Sequence, residues 1–402
     1  MNSVGIDVSK GKSMISVMRP FGEVVVSPFE VRHTASELSK LARLLKSLDG
    51  ETRVVMEATG NYHVPVAWLL HDAGFYVSIV NAMLVHDYGN NSLRRAKTDR
   101  KDAVKLANYG LDHWLSLPKY VPEEDTRLML KNCYRQYRQY SKVQTMFKNN
   151  LISLLDTAFP DANRLFTSPP RADGSEKWVD FVDTFWHCAC ISGISERAFT
   201  VKYQKWCRKH GYNFSEEKAR YIYASACGHL GVMPETNTAK ILVEQAVSQL
   251  RTTTTALATL RQEMQTLAAA LPEYPIVMRM FGVGPALGPQ LMAEIGDVRR
   301  FHAKKALVAF AGIDAPPYQS GTVDIRSRSI SKRGPSSLRR TLFLVMSVIL
   351  QNSPPDEPVY QFMNKKRAEG KPYKVYMMAS ANKFLRIYYA SVKAYLDSLE
   401  TA

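Results

Sequence analysis

Four carboxylates stand in three short motifs of the chain: Asp7 in "GIDVSK", Glu57 in "VVMEATGNYH", and Asp99 with Asp102 in "RRAKTDRKDAVKLA". Asp7 falls inside a β-rich run, where a charged side chain is costly unless it is paired or bound to a metal. Glu57 falls at the carboxyl end of another such run, the side on which crevices open in α/β sheets. Asp99 and Asp102 are spaced i, i+3, one turn apart on the same helix face. Oxygen ligands from one sheet and one following helix suit two hard divalent cations, Mg²⁺ or Mn²⁺, with room left for phosphate and water. A pair of such ions clamps the attacking and leaving oxygens of a phosphodiester. Each motif also has a plainer reading. Sugar-kinase and actin-like folds begin with a strand aspartate, and Asp99 and Asp102 could simply balance Arg94, Arg95, Lys97, Arg100, Lys101 and Lys105. Their joint occurrence in this order carries the metal reading.

A second chemical feature lies far along the chain, in "YQSGTVDIRSRSISKRG" from Tyr318 to Gly334. Ser320 precedes a glycine and is followed by Arg326, Arg328, Lys332 and Arg333, with Ser327, Ser329 and Ser331 interleaved. A serine hydroxyl is a poor nucleophile until a base or metal activates it. A run of cations is where a phosphate would be neutralised.

The charge balance points the same way. Lysine and arginine number 53 against 37 acidic residues, a formal charge of +16, which favours polyanions and nucleic acid first. With 46% hydrophobic and 22% charged residues over 402 positions, the chain reads as globular and long enough for two or three domains. No run of about 18 uncharged apolar residues suggests a membrane span. The start, "MNSVGIDVSK", has no basic-then-apolar leader, so export is not expected and the expected location is the cytoplasm. Five cysteines (133, 188, 190, 207 and 227) are expected to be reduced thiols there.

The elements that must position these groups follow from patterning. "SVGIDVS", "MISVMRP" and "EVVVSPF" read as three consecutive antiparallel strands. "HTASELSKLARLLKSL" places Leu38, Leu41, Leu44, Leu45 and Leu48 on one helical face, and "TRVVMEA", "HVPVAWLLHDA" and "FYVSIVN" continue as strand, helix, strand. That is the element order of a ribonuclease-H-like sheet, expected over residues 1–120. Residues 121–170 are a first long helical arm. Between Lys131 and Lys148 it carries five basic residues and no acidic one, with Tyr134, Tyr137 and Tyr140 among Arg135 and Arg138. Arg135 and Arg138 could track a phosphate backbone while the tyrosines stack on bases, or the tyrosines could cover a partner helix. Residues 236–271 form a second arm, with Val243, Val247, Leu250, Thr254, Leu257, Arg261 and Met264 in a four-three alternation. The two arms predict an antiparallel coiled coil or a dimer seam, or plain two-helix packing. The intervening 171–235 holds three of five tryptophans and four of five cysteines, which implies an inserted subdomain with a small core of its own. There "HCAC", "CRKH" and "CGH" offer His187, Cys188, Cys190, Cys207, His210, Cys227 and His229 to a possible structural Zn²⁺, although the spacings are not those of a standard finger. Residues 272–402 read as a mainly α region. Its "GVGP" turn, with Gly282, Gly284 and Pro285, resembles a helix-hairpin-helix whose amides face a phosphate.

"GIDVSK", "MEATGNYH" and "KTDRKDAVKLA" resemble the DEDD catalytic domain of the insertion-sequence one-ten family of transposases. "FGVGPALGPQLMAEIGD", "ALVAFAGIDAPPYQSG" and "ISKRGPSSLRRTLF" resemble that family's C-terminal transposase domain. The likeness covers about 1–150 and 236–390; residues 170–235 match nothing in its shorter members. It implies a RuvC-like N-terminal domain in which Asp7, Glu57, Asp99 and Asp102 bind metal. It also implies that Ser320 is the nucleophile of a covalent phosphoserine link to DNA, with Arg326, Arg328, Lys332, Arg333 and Arg339 on the phosphates. It further implies donor and target DNA as substrates, a bridge RNA as guide, and a tetramer built as a dimer of dimers in which one subunit's serine meets another's acidic site. The competing expectations are a site-specific DNA invertase without guide RNA and a RuvC-like nuclease using metal alone. A non-catalytic nucleic-acid-binding protein and a sugar-kinase-like phosphotransferase are the readings from other classes.

Overall fold

The computed structural model describes residues 1–401 apart from 59, 89–97, 316–318, 321–322 and 325–328, with the backbone alone at 87, 319, 320, 323 and 324. The chain divides into two compact units, Met1–Glu123 and Glu124–Ala402.

The first unit is built on a mixed five-stranded sheet. Strands β1 (Asn2–Ser9), β2 (Lys12–Arg19) and β3 (Glu23–Arg32) run antiparallel, and β4 (Thr52–Glu57) and β5 (Tyr76–Val80) add in parallel, in the order β3-β2-β1-β4-β5. Helices α1 (Ala35–Lys46), α2 (His63–Asp72), α3 (Ala82–Asp87) and α4 (Asp99–Asp112) complete the unit. This strand order, with three antiparallel strands followed by parallel additions through helices, is the ribonuclease-H type expected from the sequence.

Alternation along the strands sorts the two faces. Val4, Ile6 and Val8 of β1, Val54 and Met56 of β4 and Val77 of β5 share a core with Leu38, Leu41 and Leu45 of α1 and Val66 and Leu70 of α2. The opposite face carries Ser3, Gly5 and Asp7, and there Val55 and Val80 pack with Leu106 and Tyr109 of α4. Helix α4 lies almost on the backbone of β1. A Cβ on Gly5 would stand 2.0 Å from the Ala103 carbonyl oxygen and 2.4 Å from the Ala107 nitrogen. A Cβ on Gly110 would stand 2.3 Å from Ser3 Oγ and 2.8 Å from Val55 Cγ2. Glycine in a strand interior marks such close approach.

Among the described residues the second unit is helical apart from one short hairpin. Its two longest helices, α5 (Asp125–Ala158) and the helix over Asn237–Ala269, are packed antiparallel. Leu130 and Tyr134 meet Met264 and Ala268 at one end, Gln144 bonds Thr254 midway at 2.9 Å, and Leu151 and Leu155 meet Val243 and Val247 at the other. The four-three alternation is therefore an intrachain seam, with Arg261 exposed beside it. Between the long helices lie α6 (Lys177–Thr184), α7 (Ala189–Ser192), α8 (Glu196–His210) and α9 (Glu216–Gly228), which makes the second long helix α10. The tryptophan-rich core of this insert is not closed on itself: Trp178, Phe181, Phe199, Tyr203 and Trp206 share one cluster with α5 and α10.

Beyond α10 follow α11 (Tyr274–Met278), α12 (Gly284–Ile295), α13 (Lys304–Ala311), strands β6 (Gln319–Ser320) and β7 (Val323–Asp324), and helices α14 (Ser336–Asn352), α15 (Pro358–Ala368) and α16 (Tyr373–Glu400). The base of α5 is tied into this region by a bidentate pair. Arg127 donates to both oxygens of Glu273, and the side chains are 8% and 1% exposed. Tyr134 adds a hydrogen bond with Thr341 at 3.0 Å. Among the described residues no helix is long and apolar enough to cross a membrane.

Both of these buried arrangements can be tested by stability. Gly5→Ala forces a methyl into the backbone of α4 and should lower unfolding free energy by about 1–3 kcal/mol, the usual range for overpacking, read as a lower urea midpoint at unchanged slope. An unchanged midpoint would mean that α4 is not seated on β1. Arg127→Met strands the Glu273 carboxylate in the core and should cost about 3–5 kcal/mol, as one-sided removal of a buried ion pair does; a thermal midpoint equal to that of the parent protein would count against a buried pair.

Candidate active site

The first unit brings the four acidic positions to one end of the sheet. β1 and β4 pair in parallel with Gly5 opposite Val55 and Ile6 opposite Met56. One step further in the same register, Asp7 stands beside Glu57 on the face covered by α4. Helix α4 runs antiparallel to β1, since Gly110 lies over Ser3 while Ala103 and Ala107 lie over Gly5. Asp102 directly precedes Ala103, and Asp99 lies about 6 Å further along the axis at a rise of about 1.5 Å per residue. Asp7 lies about 7 Å beyond Gly5 along its strand. The first turn of α4 therefore reaches the strand ends where Asp7 and Glu57 sit. Lys12, just across the β1–β2 turn, gives an independent sign. Its pKa is raised chiefly by its hydrogen bond to Glu30, and the Asp99 charge adds to the rise. Asp7, Glu57 and Asp102 are half-buried and Asp99 is exposed.

Local chemistry explains why the helix starts there. The Thr98 side chain accepts from the Lys101 amide, an N-cap that satisfies one of the free N–H groups. Acidic residues in a first turn also oppose the positive end of the helix dipole. Thr98, Gly5 and Gly110 support the site without carrying its chemistry, and reasoning from reactive residue types does not single them out. Their signals are nevertheless in the sequence, as a threonine before a helix start and glycines inside a strand and a helix.

The acidic set suits hard cations by ligand chemistry, all four donors being carboxylates at one sheet end. Their side chains are not drawn together: among the described residues no group of three or more His, Cys, Asp or Glu stands close enough to hold a metal ion. That applies also to the insert, where the zinc expectation is overturned. His187 Nε2 is bonded to the Met233 carbonyl, His229 Nδ1 to the Ser225 carbonyl, and His210 is stacked on Trp206. Cys188 and Cys207 are buried as free thiols, with Cys190 half-buried and Cys227 exposed. His187 is engaged by the distant Met233 carbonyl, Cys188 and Cys207 by the apolar core, and His229 by its own helix end, so among the described residues the three motifs form no common site.

In the second unit Ser320 ends the first strand of the β6–β7 hairpin, with Ser320 paired to Val323 and Gln319 to Asp324. Arg326 and Arg328 lie outside the described residues. The stretch is tied down at both ends. The Ser331 amide donates to the Asp314 carbonyl at 2.8 Å, Ser331 Oγ donates to the Asp314 carboxylate, and the Lys332 amide donates to the Gly312 carbonyl at 3.0 Å. Arg339 donates to the carbonyls of Ala311 and Gly334, at 3.2 and 2.6 Å, so its guanidinium helps to clasp this loop. Lys332 and Arg333 are exposed. Among the other basic and turn positions, Arg135 is exposed and Arg138 half-buried, its Nε without a hydrogen-bond partner. Gly282 and Gly284 have φ of 79° and 54°, and the turn they form joins α11 to α12. Gly282 is pressed against Val345 and Ile349 of α14, whereas Gly284 has open space.

Comparison with known proteins identifies relatives of the chain. A family model described as a transposase, DEDD_Tnp_IS110, matches residues 4–160, and a model of the transposase IS116/IS110/IS902 family matches 274–361. A pilin gene-inverting protein of Moraxella bovis is 23% identical over 85% of this chain and 80% of its own. An insertion element IS110 protein of Streptomyces coelicolor is 21% identical over 97% of this chain and 93% of its own. Solved structures of Thermus thermophilus RuvC, alone and with a Holliday junction substrate, cover 30% of this chain at 14% identity, with TM-scores of 0.24 and 0.23. They are matched over 100% and 99% of their own lengths. Between them the two family models span the acidic motifs and the serine hairpin, and the chain belongs to the IS110 family of transposases, a DNA recombinase/transposase enzyme.

Proposed function

We propose that this transposase cuts and rejoins DNA strands through a phosphoserine intermediate on Ser320, assisted by divalent cations, Mg²⁺ or Mn²⁺, at Asp7, Glu57, Asp99 and Asp102. The observation that supports the reading is the parallel pairing of β1 with β4 together with the seating of α4 on β1, from which the four carboxylates are inferred to share one end of the sheet. Bound there, divalent ions would polarise the scissile phosphate and lower the cost of developing charge. The chain's own part is then as follows. The Ser320 hydroxyl attacks phosphorus, giving up its proton as the Oγ–P bond forms. The bond from phosphorus to the deoxyribose oxygen breaks, and that oxygen leaves with a proton as a free hydroxyl. The phosphoserine link conserves the bond energy, so rejoining needs no nucleotide cofactor. Lys332 and Arg333, exposed beside the serine hairpin, neutralise the phosphate or hold the flanking backbone together with Arg326 and Arg328. Arg135, Arg138 and the Gly282–Gly284 turn offer further backbone contacts. Arg339 supports the loop and could reach phosphate with the donors that remain.

The same reading includes assembly of four chains as a dimer of dimers, so that a serine and an acidic site of different subunits act on one linkage, and guidance by a bridge RNA paired to donor and target DNA. A second reading, a site-specific invertase acting without guide RNA, is favoured by the likeness to the pilin gene-inverting proteins.

Ser320→Ala should abolish covalent protein–DNA adducts, resolved by denaturing gel, while DNA binding persists. Asp7→Ala or a chelator should abolish adducts and nicking together. Continued nicking by the Ser320→Ala protein would establish a nuclease that uses metal alone. Recombination of naked DNA by protein freed of RNA would remove the guide and leave the invertase.

A further inference from the structure

On the helical insert three cations meet, of which Arg171 donates to the His210 carbonyl at 2.6 Å and lies within reach of the Asp173 charge, while the two lysines have no ion pair among the described residues. Lys177 opens α6 and Lys218 lies in the first turn of α9, while Arg171 sits on the preceding loop. Lys177 Nζ stands 4.9 Å from the centre of the Phe166 ring and 4.8 Å from that of Tyr212. Lys218 Nζ stands 5.6 Å from the same Phe166 ring and 4.4 Å from Tyr221. The Arg171 guanidinium carbon lies 4.1 Å from the Tyr212 ring centre. Phe166 and Tyr212 are thus each shared by two cations, which gathers three positive groups into one half-buried to exposed patch.

The carboxylates nearby are engaged elsewhere. Glu176 accepts from Lys148 and Trp178, Asp180 from Tyr212 and Arg251, Asp183 from Arg251, and Glu216 from Arg220. Asp173 accepts from the Ser175 amide and feels the Arg171 charge. Among the described residues Lys177 and Lys218 have no ion-pair partner. Burial is the main cause that lowers the pKa of both ammonium groups. Arg171 lowers Lys177 further, against an opposing effect of Cys207, and Lys177 lowers Lys218. Ring faces attract cations but carry no net charge to cancel them. The patch therefore has the mutual repulsion of a site whose anion comes from outside the chain.

We propose that Arg171, Lys177 and Lys218 form a phosphate clamp for the backbone of duplex DNA, a contact made by the insert and separate from the residues assigned to strand cleavage. Duplex DNA is the occupant because the enzyme acts on DNA and the whole chain carries a charge of +16. The rings of Phe166 and Tyr212 are already covered by cations, so the patch holds backbone and does not stack on or read bases. The insert is also seated on the long helices, with Lys148 of α5 bonded to Glu176 and Arg251 of α10 to Asp180 and Asp183. DNA held here would be held by the same unit that carries the serine hairpin.

The test is the salt dependence of binding by the full chain to a short duplex of arbitrary sequence, followed by fluorescence anisotropy. Removing one phosphate-binding cation should make the slope of log K against log[salt] shallower by about 0.9. The Lys177→Gln/Lys218→Gln protein should lose about 1.8 from the slope, and the Lys177→Arg/Lys218→Arg protein should keep it. Arg171→Gln, at an exposed position, should lose about 0.9 and decides the matter if the double glutamine protein fails to fold. An unchanged slope in the folded glutamine variants overturns the clamp. So does a change seen only with single-stranded RNA of the same length, which would make RNA the occupant.

Discussion

Helix α4 can lie against β1 only because one partner at each crossing point is a glycine, Gly5 beneath the α4 backbone and Gly110 above Ser3. Gly5 and Gly110 remove the two Cβ atoms that would otherwise collide with Ala103, Ala107, Ser3 and Val55. The acidic set has two origins, and only the helical one runs through that contact. Two belong to strands whose register is held by a ladder of backbone hydrogen bonds, and two belong to a helix whose height above the sheet and start point are set by glycine contact and by the Thr98 cap. A helix held one side chain further away would leave Asp99 and Asp102 remote from Asp7. The acidic site thus depends on an approach between backbones, not on any bond among the acids themselves.

The second unit solves a different problem, keeping long helices in fixed relation. Apolar contacts join α5 and α10 at both ends, and polar contacts supplement them. Gln144 bonds Thr254 midway, while Arg127 and Glu273 meet fork to fork at the base. A guanidinium and a carboxylate buried together tolerate little displacement, because breaking either hydrogen bond leaves a desolvated charge. The loop carrying Ser320 is held on the same principle at smaller scale. Asp314 and Ser331 close its ends, and Arg339 spends donors on two carbonyls of the framework beneath it. In the mechanism proposed above Ser320 is the nucleophile, a role that requires placement within a fraction of an ångström, and a loop clasped at both ends suits that proposal.

The insert shows how far a compositional signal carries. A concentration of tryptophan and cysteine does mark a packed region, but Trp178 and Trp206 close over Leu151, Leu155, Val243 and Val247 of the long helices. The cysteines and histidines, spaced like scattered metal ligands, are instead taken up separately: Cys188 and Cys207 by the core, His187 by the Met233 carbonyl and His229 by its own helix end. Histidine Nδ1 bonding a carbonyl four residues back, as in His229, ends a helix and needs no metal.

Element identity was legible in the sequence because its causes are local: alternation in β1, β2 and β4, the leucine stripe of α1, the threonine before α4, the four-three seam of α10. The acidic motifs and the serine with its basic run were legible for the same reason, as short stretches with their own chemistry, whereas the hairpin that carries the serine was not. The tertiary structure alone decided the quantities that join distant stretches. It set the register that aligns Asp7 with Glu57, the glycine contact that sets α4 above them, the role of Arg339 as a clasp, and the placing of Lys177 and Lys218 around one phenylalanine. These depend on which surfaces meet across tens to hundreds of residues, and packing, unlike periodicity, has no signature within a single segment.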